Sequence, residues 1–250
     1  QGVHLYDVNG HEYLDVYNNV ANVGHCHPRV VAALSGQAST LNIHTRYLHE
    51  TILDYAESLT STFADPLSTV MFTCTGSEAN DLALRMARHA TGAMGIICTS
   101  ETYHGNTSAV DELATLFHDG EAVGAHVKSV PFPDTYRPEG GLQGQELCDA
   151  YLRSVDQAIV EFQQEGIGFA GVLMCPIFAN EAVPNVPPGY LNGVAERVQA
   201  HNGLLIFDEV QSGFGRTGQL WGYEYVGVQP DIVTLGKPMG NGHPIAAVVA

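Results

Sequence analysis

Six short apolar runs rich in β-branched residues recur along this chain, and their spacing restricts the fold more than any other feature. They are 69–74 (TVMFTC), 95–99 (GIICT), 171–175 (GVLMC), 204–208 (LLIFD), 231–235 (DIVTL) and 245–249 (IAAVV). Strands that are apolar on both faces belong to sheets covered on both sides. Between most of them the segments 49–62, 77–90, 144–165 and 190–201 carry helical periodicity. The alternation predicts an α/β fold with a mostly parallel sheet lying between helices. In such sheets ligands bind beyond the carboxyl ends of the strands. Residues 3–17 follow a different rule. They alternate apolar and polar about Asn9-Gly10, which predicts an N-terminal hairpin closed by a type I′ turn. The Pro- and Gly-rich stretches 131–143 and 176–189 are expected to be long loops.

Composition narrows the function. The 250 residues carry 27 acidic against 10 basic side chains, a formal charge of −17. That balance argues against nucleic acid or an anionic membrane surface as a partner, because phosphate neutralisation needs clustered Lys and Arg. Five scattered cysteines without a C-x-x-C pair point to a reducing, cytoplasmic setting rather than a disulfide framework. No apolar stretch reaches the length of a membrane span. The sequence opens without Met and stops within an apolar run, so both ends are expected to be cut from a longer chain.

Candidate chemistry sits where the apolar runs end. Lys237, one of two lysines, follows 231–235 between Gly236 and Pro238. A lysine that loses hydration loses basicity and becomes a nucleophile for carbonyls, although a lysine reaching out of a strand end has the same local pattern. Asp208 closes the run 204–208, placed to meet a ligand cation or to cap the following turn. In CTGSEAND (74–81), Gly76 and Ser77 fall where a helix starts, and free amides there can hold an anion or simply be capped. Tyr103, in SETYHGNT (100–107), offers a ring to a planar ligand. GHCHP (24–28) suggests a metal, but no second ligand pair appears at metal spacing, so none is expected. Taken together, an anion cradle, an aromatic ring, an acid and a desolvated lysine match the needs of pyridoxal phosphate.

The chain resembles the class III (ω-amino acid type) pyridoxal-phosphate aminotransferases of fold type I. The likeness runs through YDVNGHEYLDVYNNVANVGHCHP, GSEAND, YHGN, FDEVQSGFGRTG and PDIVTLGKPMGNGHP. It is nearest a subgroup that includes alanine–glyoxylate aminotransferase-like proteins and amino-phosphate phospho-lyases. The resemblance implies the fold type I sheet, of seven-stranded type, and pyridoxal 5′-phosphate as cofactor. It implies that Lys237 forms the Schiff base and shuttles a proton, that Asp208 pairs with the pyridine nitrogen, and that Gln211 lies near the phenolic oxygen. Tyr103 would stack on the ring, and Gly76 and Ser77 would hold the phosphate, with His104 and Glu209 behind them. It further implies a homodimer, with an amino donor and a 2-oxo acid as substrates. Residues 1–35 would belong to a small domain and 36–250 to the large cofactor-binding domain. The C-terminal small domain would lie outside this chain. The motifs do not separate transamination from loss of phosphate by β-elimination.

One stretch departs from the family pattern. Where Glu-Pro-Ile-Gln and a Gly-Gly pair are frequent, this chain has Cys175-Pro176-Ile177-Phe178, then Glu181-Ala182. That puts the substrate class in question. Arg46, in HTRYLHE (44–50), is a candidate for a substrate carboxylate or for a structural ion pair.

Overall fold

The computed structural model describes residues 2–44 and 46–250. The chain begins with β1 (His4–Tyr6) and β2 (Glu12–Leu14), paired antiparallel with Leu5 opposite Tyr13. The hairpin forms, but 7–11 connect it rather than a two-residue type I′ turn. Asp7 is the cause. Its Oδ1 accepts the Asn9 and His11 amides at 2.8 and 2.9 Å, while its carbonyl accepts the Gly10 amide. An Asp side chain that mimics backbone in this way lengthens the loop.

Helix α1 (Pro28–Thr40), unanticipated from its sequence, starts on Pro28 and buries none of its residues. Helix α2 (Glu50–Thr60) buries Leu59. Beyond them lie β3 (Val70–Thr73), α3 (Gly76–Thr91), β4 (Gly95–Thr99), α4 (Ser108–Asp111), β5 (Val127–Val130) and α5 (Gly144–Gln164). The chain continues through β6 (Phe169–Met174), α6 (Tyr190–Ala200), β7 (Leu204–Asp208), α7 (Gly222–Val226), β8 (Ile232–Leu235) and β9 (Ala246–Val249).

The seven strands from β3 onward form one sheet in the order β3-β9-β8-β7-β6-β4-β5. Strands β8, β7, β6, β4 and β5 are parallel, and β9 alone runs against its neighbours β3 and β8. It follows that β3 points the same way as the parallel set. The carboxyl ends of β3, β4, β6, β7 and β8 therefore share one rim, which is where this architecture places ligands.

Side-chain alternation assigns each strand residue to a face. Leu205 and Phe207 of β7 join the cluster under α5 and α6, with Val155, Ile159, Phe162 and Val194. Ile206 joins the other cluster, under α3, with Ala79, Ala83, Leu84 and Ala87. The small alanines let α3 lie close to the sheet. By the same alternation Asp208 and Thr234 face α3 rather than α5. Edge strand β5 is held differently. Lys128 reaches Glu161 and Glu165 on α5 at 3.1 and 2.9 Å, a charged edge of the kind that discourages further pairing.

Candidate active site

The loops after β3, β4, β6, β7 and β8 contribute to one cavity of about 170 Å³. Gly76 and Ser77 come from the start of α3, Tyr103 and His104 from the loop after β4, and Cys175 and Asn180 from the loop after β6. Asp208, Val210 and Gln211 follow β7, and Lys237 follows β8. The six residues singled out in the sequence thus meet in space, and Asn180 and Val210 join them.

One end of the cavity is built by α3. Thr75, not Ser77, is the N-cap: its hydroxyl accepts the Glu78 amide at 3.1 Å, and Glu78 Oε2 accepts the amides of Cys74 and Thr75 at 2.8 and 2.9 Å. This capping box occupies its own donors and leaves the Gly76 and Ser77 amides without intrahelical partners. The backbone comes close here. A Cβ on Gly76 would sit 3.0 Å from a Val210 methyl, and one on Gly105 would press on Ser77 Oγ at 2.6 Å.

Asp208 is almost fully buried and fully bonded. Its Oδ2 accepts from Asn80 Nδ2 at 3.0 Å and meets His104 Nδ1 at 2.8 Å, while Oδ1 accepts the Val210 amide at 3.0 Å. Burial alone would raise its pKa, but the hydrogen bond and charge of His104, with help from Val210 and Asn80, hold it below the usual carboxylate value. Asn80 is itself fixed, donating to the His104 carbonyl at 2.7 Å and accepting from Thr234 Oγ1 at 2.7 Å. Its role had a sequence signal: a lone amide on the apolar stripe formed by Ala79, Ala83 and Ala87 must be satisfied by something.

Lys237 is half-buried, with φ +39°, in the left-handed region that a non-glycine residue enters only under tertiary constraint. Burial lowers its pKa, and the charge of Asp208 opposes that only in part. Cys175 beside it is pushed up to about 12, chiefly by burial, so the thiol stays neutral and behaves as a small apolar wall. Gln211 is held between two asparagines: its Nε2 donates to Asn180 Oδ1 at 3.0 Å, and its Oε1 accepts from Asn19 Nδ2 at 2.6 Å. Asn180 also donates to the Tyr103 carbonyl at 2.9 Å, and Tyr103 is set edge-on against Phe117. Asn19, from the N-terminal segment, had no local signal, because only the tertiary fold brings it here.

Other candidates fall elsewhere. Glu209 points away from the cavity into a polar nest made by the Gly222 and Tyr223 amides and the Ser212 hydroxyl, where it orders the loop after β7. Arg46 is exposed and does not line this cavity. Its neighbour Thr45 lies outside the described residues. In GHCHP, His25 Nε2 is taken by Asp15 at 2.7 Å, and no His, Cys, Asp and Glu group suited to a metal occurs among the described residues.

A buried carboxylate, a desolvated lysine and the free amides at the start of α3 thus share one rim. The donor set and the close backbone at Gly76 and Gly105 fit an anionic, flat aldehyde with a protonated ring nitrogen. A profile of the family described as aminotransferase class-III matches residues 1–250. The alanine–glyoxylate aminotransferase 2-like protein of Drosophila melanogaster is 39% identical over 100% of this chain and 52% of its own. A phospholyase from Arthrobacter, solved with phosphoethanolamine, superposes with a TM-score of 0.93 at 47% identity, covering 100% of this chain and 59% of that one. A taurine:2-oxoglutarate aminotransferase from Bifidobacterium kashiwanohense, solved with PLP and glutamate, gives 0.89 at 29% identity, with 100% and 58% covered. The chain belongs to the class III aminotransferase family, which works with pyridoxal phosphate. It spans about half the length of the curated relatives it matches.

Proposed function

We propose that this chain is the cofactor-binding part of a transaminase that moves an amino group from an amine or amino acid to a 2-oxo acid in two half-reactions. The observation that carries this is the meeting of Lys237, Asp208 and the Gly76–Ser77 amides on one cavity. When bound, pyridoxal phosphate supplies an aldehyde for an amine and a ring that withdraws electrons from the neighbouring carbon. The chain's own groups do the rest. The Gly76 and Ser77 amides hold the phosphate at the positive end of α3. Asp208, kept ionised by His104 and Asn80, holds the proton on the ring nitrogen. Tyr103 and Val210 supply flat and apolar walls, and Gln211 is aimed at the phenolic oxygen by Asn19 and Asn180. Lys237 Nζ, made less basic by burial, is the nucleophile and then takes and returns the substrate proton.

A second reading has its own support. The Arthrobacter phospholyase was solved with phosphoethanolamine and shares 47% identity with this chain, so elimination of phosphate from an amino-alcohol phosphate is the alternative. The full-length protein, given a panel of donors with a 2-oxo acid, decides between them. New amino acid without inorganic phosphate supports transamination; phosphate and ammonia released from phosphoethanolamine overturn it. Lys237→Ala should abolish either reaction.

The working form is proposed to be a cytoplasmic homodimer. The exposed apolar residues of α1 and α2, among them Val31, Leu34, Ile52 and Leu53, support a covered face there.

A further inference from the structure

Lys237 opens a short 3₁₀ turn, Lys237–Gly240, with a left-handed residue at each end: Lys237 itself at φ +39° and Asn241 at φ +49°. Asparagine tolerates that conformation, whereas a lysine keeps it only where its surroundings fix it. Before the turn the chain is held by the sheet, in which Leu235 of β8 pairs with Ala247 of β9. After the turn a side chain does the holding. Asn241 Oδ1 accepts the Val23 amide at 3.0 Å, and Asn241 Nδ2 donates to the Gly24 carbonyl at 3.1 Å. One side-chain amide thus spends its acceptor and a donor on the backbone of the N-terminal segment, more than 200 residues away in the chain.

The segment that receives these bonds is built to stay in place. Asn18 Oδ1 accepts the Val20 and Ala21 amides at 2.8 and 3.3 Å, and the Asn22 and Gly24 amides donate to the Val20 and Ala21 carbonyls at 2.9 Å each. The same residues also grip the loop after β7. Asn19 Nδ2 donates to Gln211, Asn22 Nδ2 donates to the Phe214 carbonyl at 3.2 Å, and the Asn19 carbonyl accepts from Arg216 Nη2. Residues 18–24 therefore bridge two loops of the cofactor cavity, one carrying Gln211 and the other Lys237.

We propose that Asn241 is a positioning residue for Lys237: its paired bonds to Val23 and Gly24 tie the lysine's turn to the segment that also holds Gln211, so that the amine meets the cavity at one fixed place. The turn needs such a tie. A 3₁₀ turn has poor hydrogen-bond geometry, and Gly240 and Gly242 on either side of Asn241 give the backbone freedom to relax. Once relaxed, Lys237 would leave its strained φ and its amine would shift, and a displacement of about 1 Å at a reacting group costs up to about 10²-fold in rate. The rival explanation is that Asn241 is present only because asparagine suits φ +49°. Glycine suits that φ at least as well, so Asn241→Gly keeps the backbone and deletes both bonds.

The inference rests on Lys237 being the residue that joins pyridoxal phosphate. The test uses cofactor-stripped, full-length protein. Capture of pyridoxal phosphate is quenched with borohydride at successive times, and the labelled Lys237 peptide is weighed by mass spectrometry. Affinity for pyridoxamine phosphate, which has no aldehyde and cannot join a lysine, reports the rest of the site. Asn241→Gly should capture about 10–10²-fold more slowly than wild type, with pyridoxamine phosphate bound within about twofold. Capture at the wild-type rate would overturn the proposal, since Asn241 would then serve only its own φ. So would capture and pyridoxamine phosphate binding that fail in equal measure, since Asn241 would then support the fold at large. Should Asn241→Gly not fold, Asn241→Asp decides. It keeps the acceptor for Val23 and sets an oxygen against the Gly24 carbonyl, so capture slows if the tie matters and stays at the wild-type rate if it does not. A wild type left unlabelled at Lys237 would sink the cofactor reading itself, whereas a labelled wild type with unaffected variants would sink this inference alone.

Discussion

Asp208 keeps its charge through neighbours rather than water, so its substitution should separate charge from shape. Asp208→Asn preserves the outline but leaves His104 Nδ1, at 2.8 Å, without an anion to meet. We expect kcat of the full-length enzyme to fall by about 10²–10⁴ while its thermal melting changes little. A collapse of the fold with no separable kinetic loss would refute a role at the ring nitrogen. Lys237 gives a second test. Burial lowers its pKa, so its neutral, reactive form is populated at lower pH than for an ordinary lysine. Reductive trapping of pyridoxal phosphate with borohydride should therefore label Lys237 in preference to Lys128, and its rate should rise with pH to a plateau reached below the usual lysine range. Equal labelling of the two lysines would count against the burial argument. These two residues were legible in the sequence because each stands alone at the end of an apolar strand. Asn19 and Asn180 were not, since nothing local marks them and only the packed fold aims them at Gln211.

Among the elements, α3 has the largest part in the site: its first turn offers amides to an anion and its alanine face sets its distance from the sheet. Thr75→Ala removes the cap and should cost about 1 kcal/mol, read as a lower denaturation midpoint together with weaker cofactor retention. Ala83→Leu should cost about 1–3 kcal/mol by overpacking and should loosen the cofactor, because Asn80 and Asp208 meet across the same contact. Unchanged cofactor affinity in Ala83→Leu would mean that the spacing of α3 is not critical. The physical reasons for what the sequence revealed are also visible at this scale. Doubly covered strands such as β6 and β7 announce themselves by unbroken apolar runs. Strand β5 (VKSV) does not, as its lysine serves an edge, and α1 does not, as it buries nothing. The hairpin loop is longer than Asn9-Gly10 alone dictates because the Asp7 side chain holds the Asn9 and His11 amides.

At the level of the whole molecule, two buried glutamates should shape stability against pH. Burial raises Glu181 and Glu209 above their ordinary value of 4.5, so above that pH the folded chain binds more protons than the unfolded one. Stability from these groups is thus fully present below about 4.5 and declines as pH rises toward their folded values. Chemical denaturation of Glu181→Gln should show a shallower decline than wild type over that window, and an identical slope would contradict the burial argument. The exposed face of α1 and α2 makes a separate prediction from the proposed homodimer: the full-length protein should sediment as a dimer, and Leu34→Asp with Ile52→Asp should shift it to monomer. The order of the sheet has one more consequence. Strand β9 lies between β3 and β8, so during synthesis β3 waits for the last strand of this chain to emerge before its ladder can close. The anion cradle on α3 hangs from β3, whereas Asp208 and Lys237 belong to strands already joined. A ribosome-bound chain halted before β9 would still hold α3 against β6, β7 and β8, through its alanine face and the bonds of Asn80 with Asp208 and Thr234, so the cradle can dock before the sheet is complete and β3 is the strand that joins last.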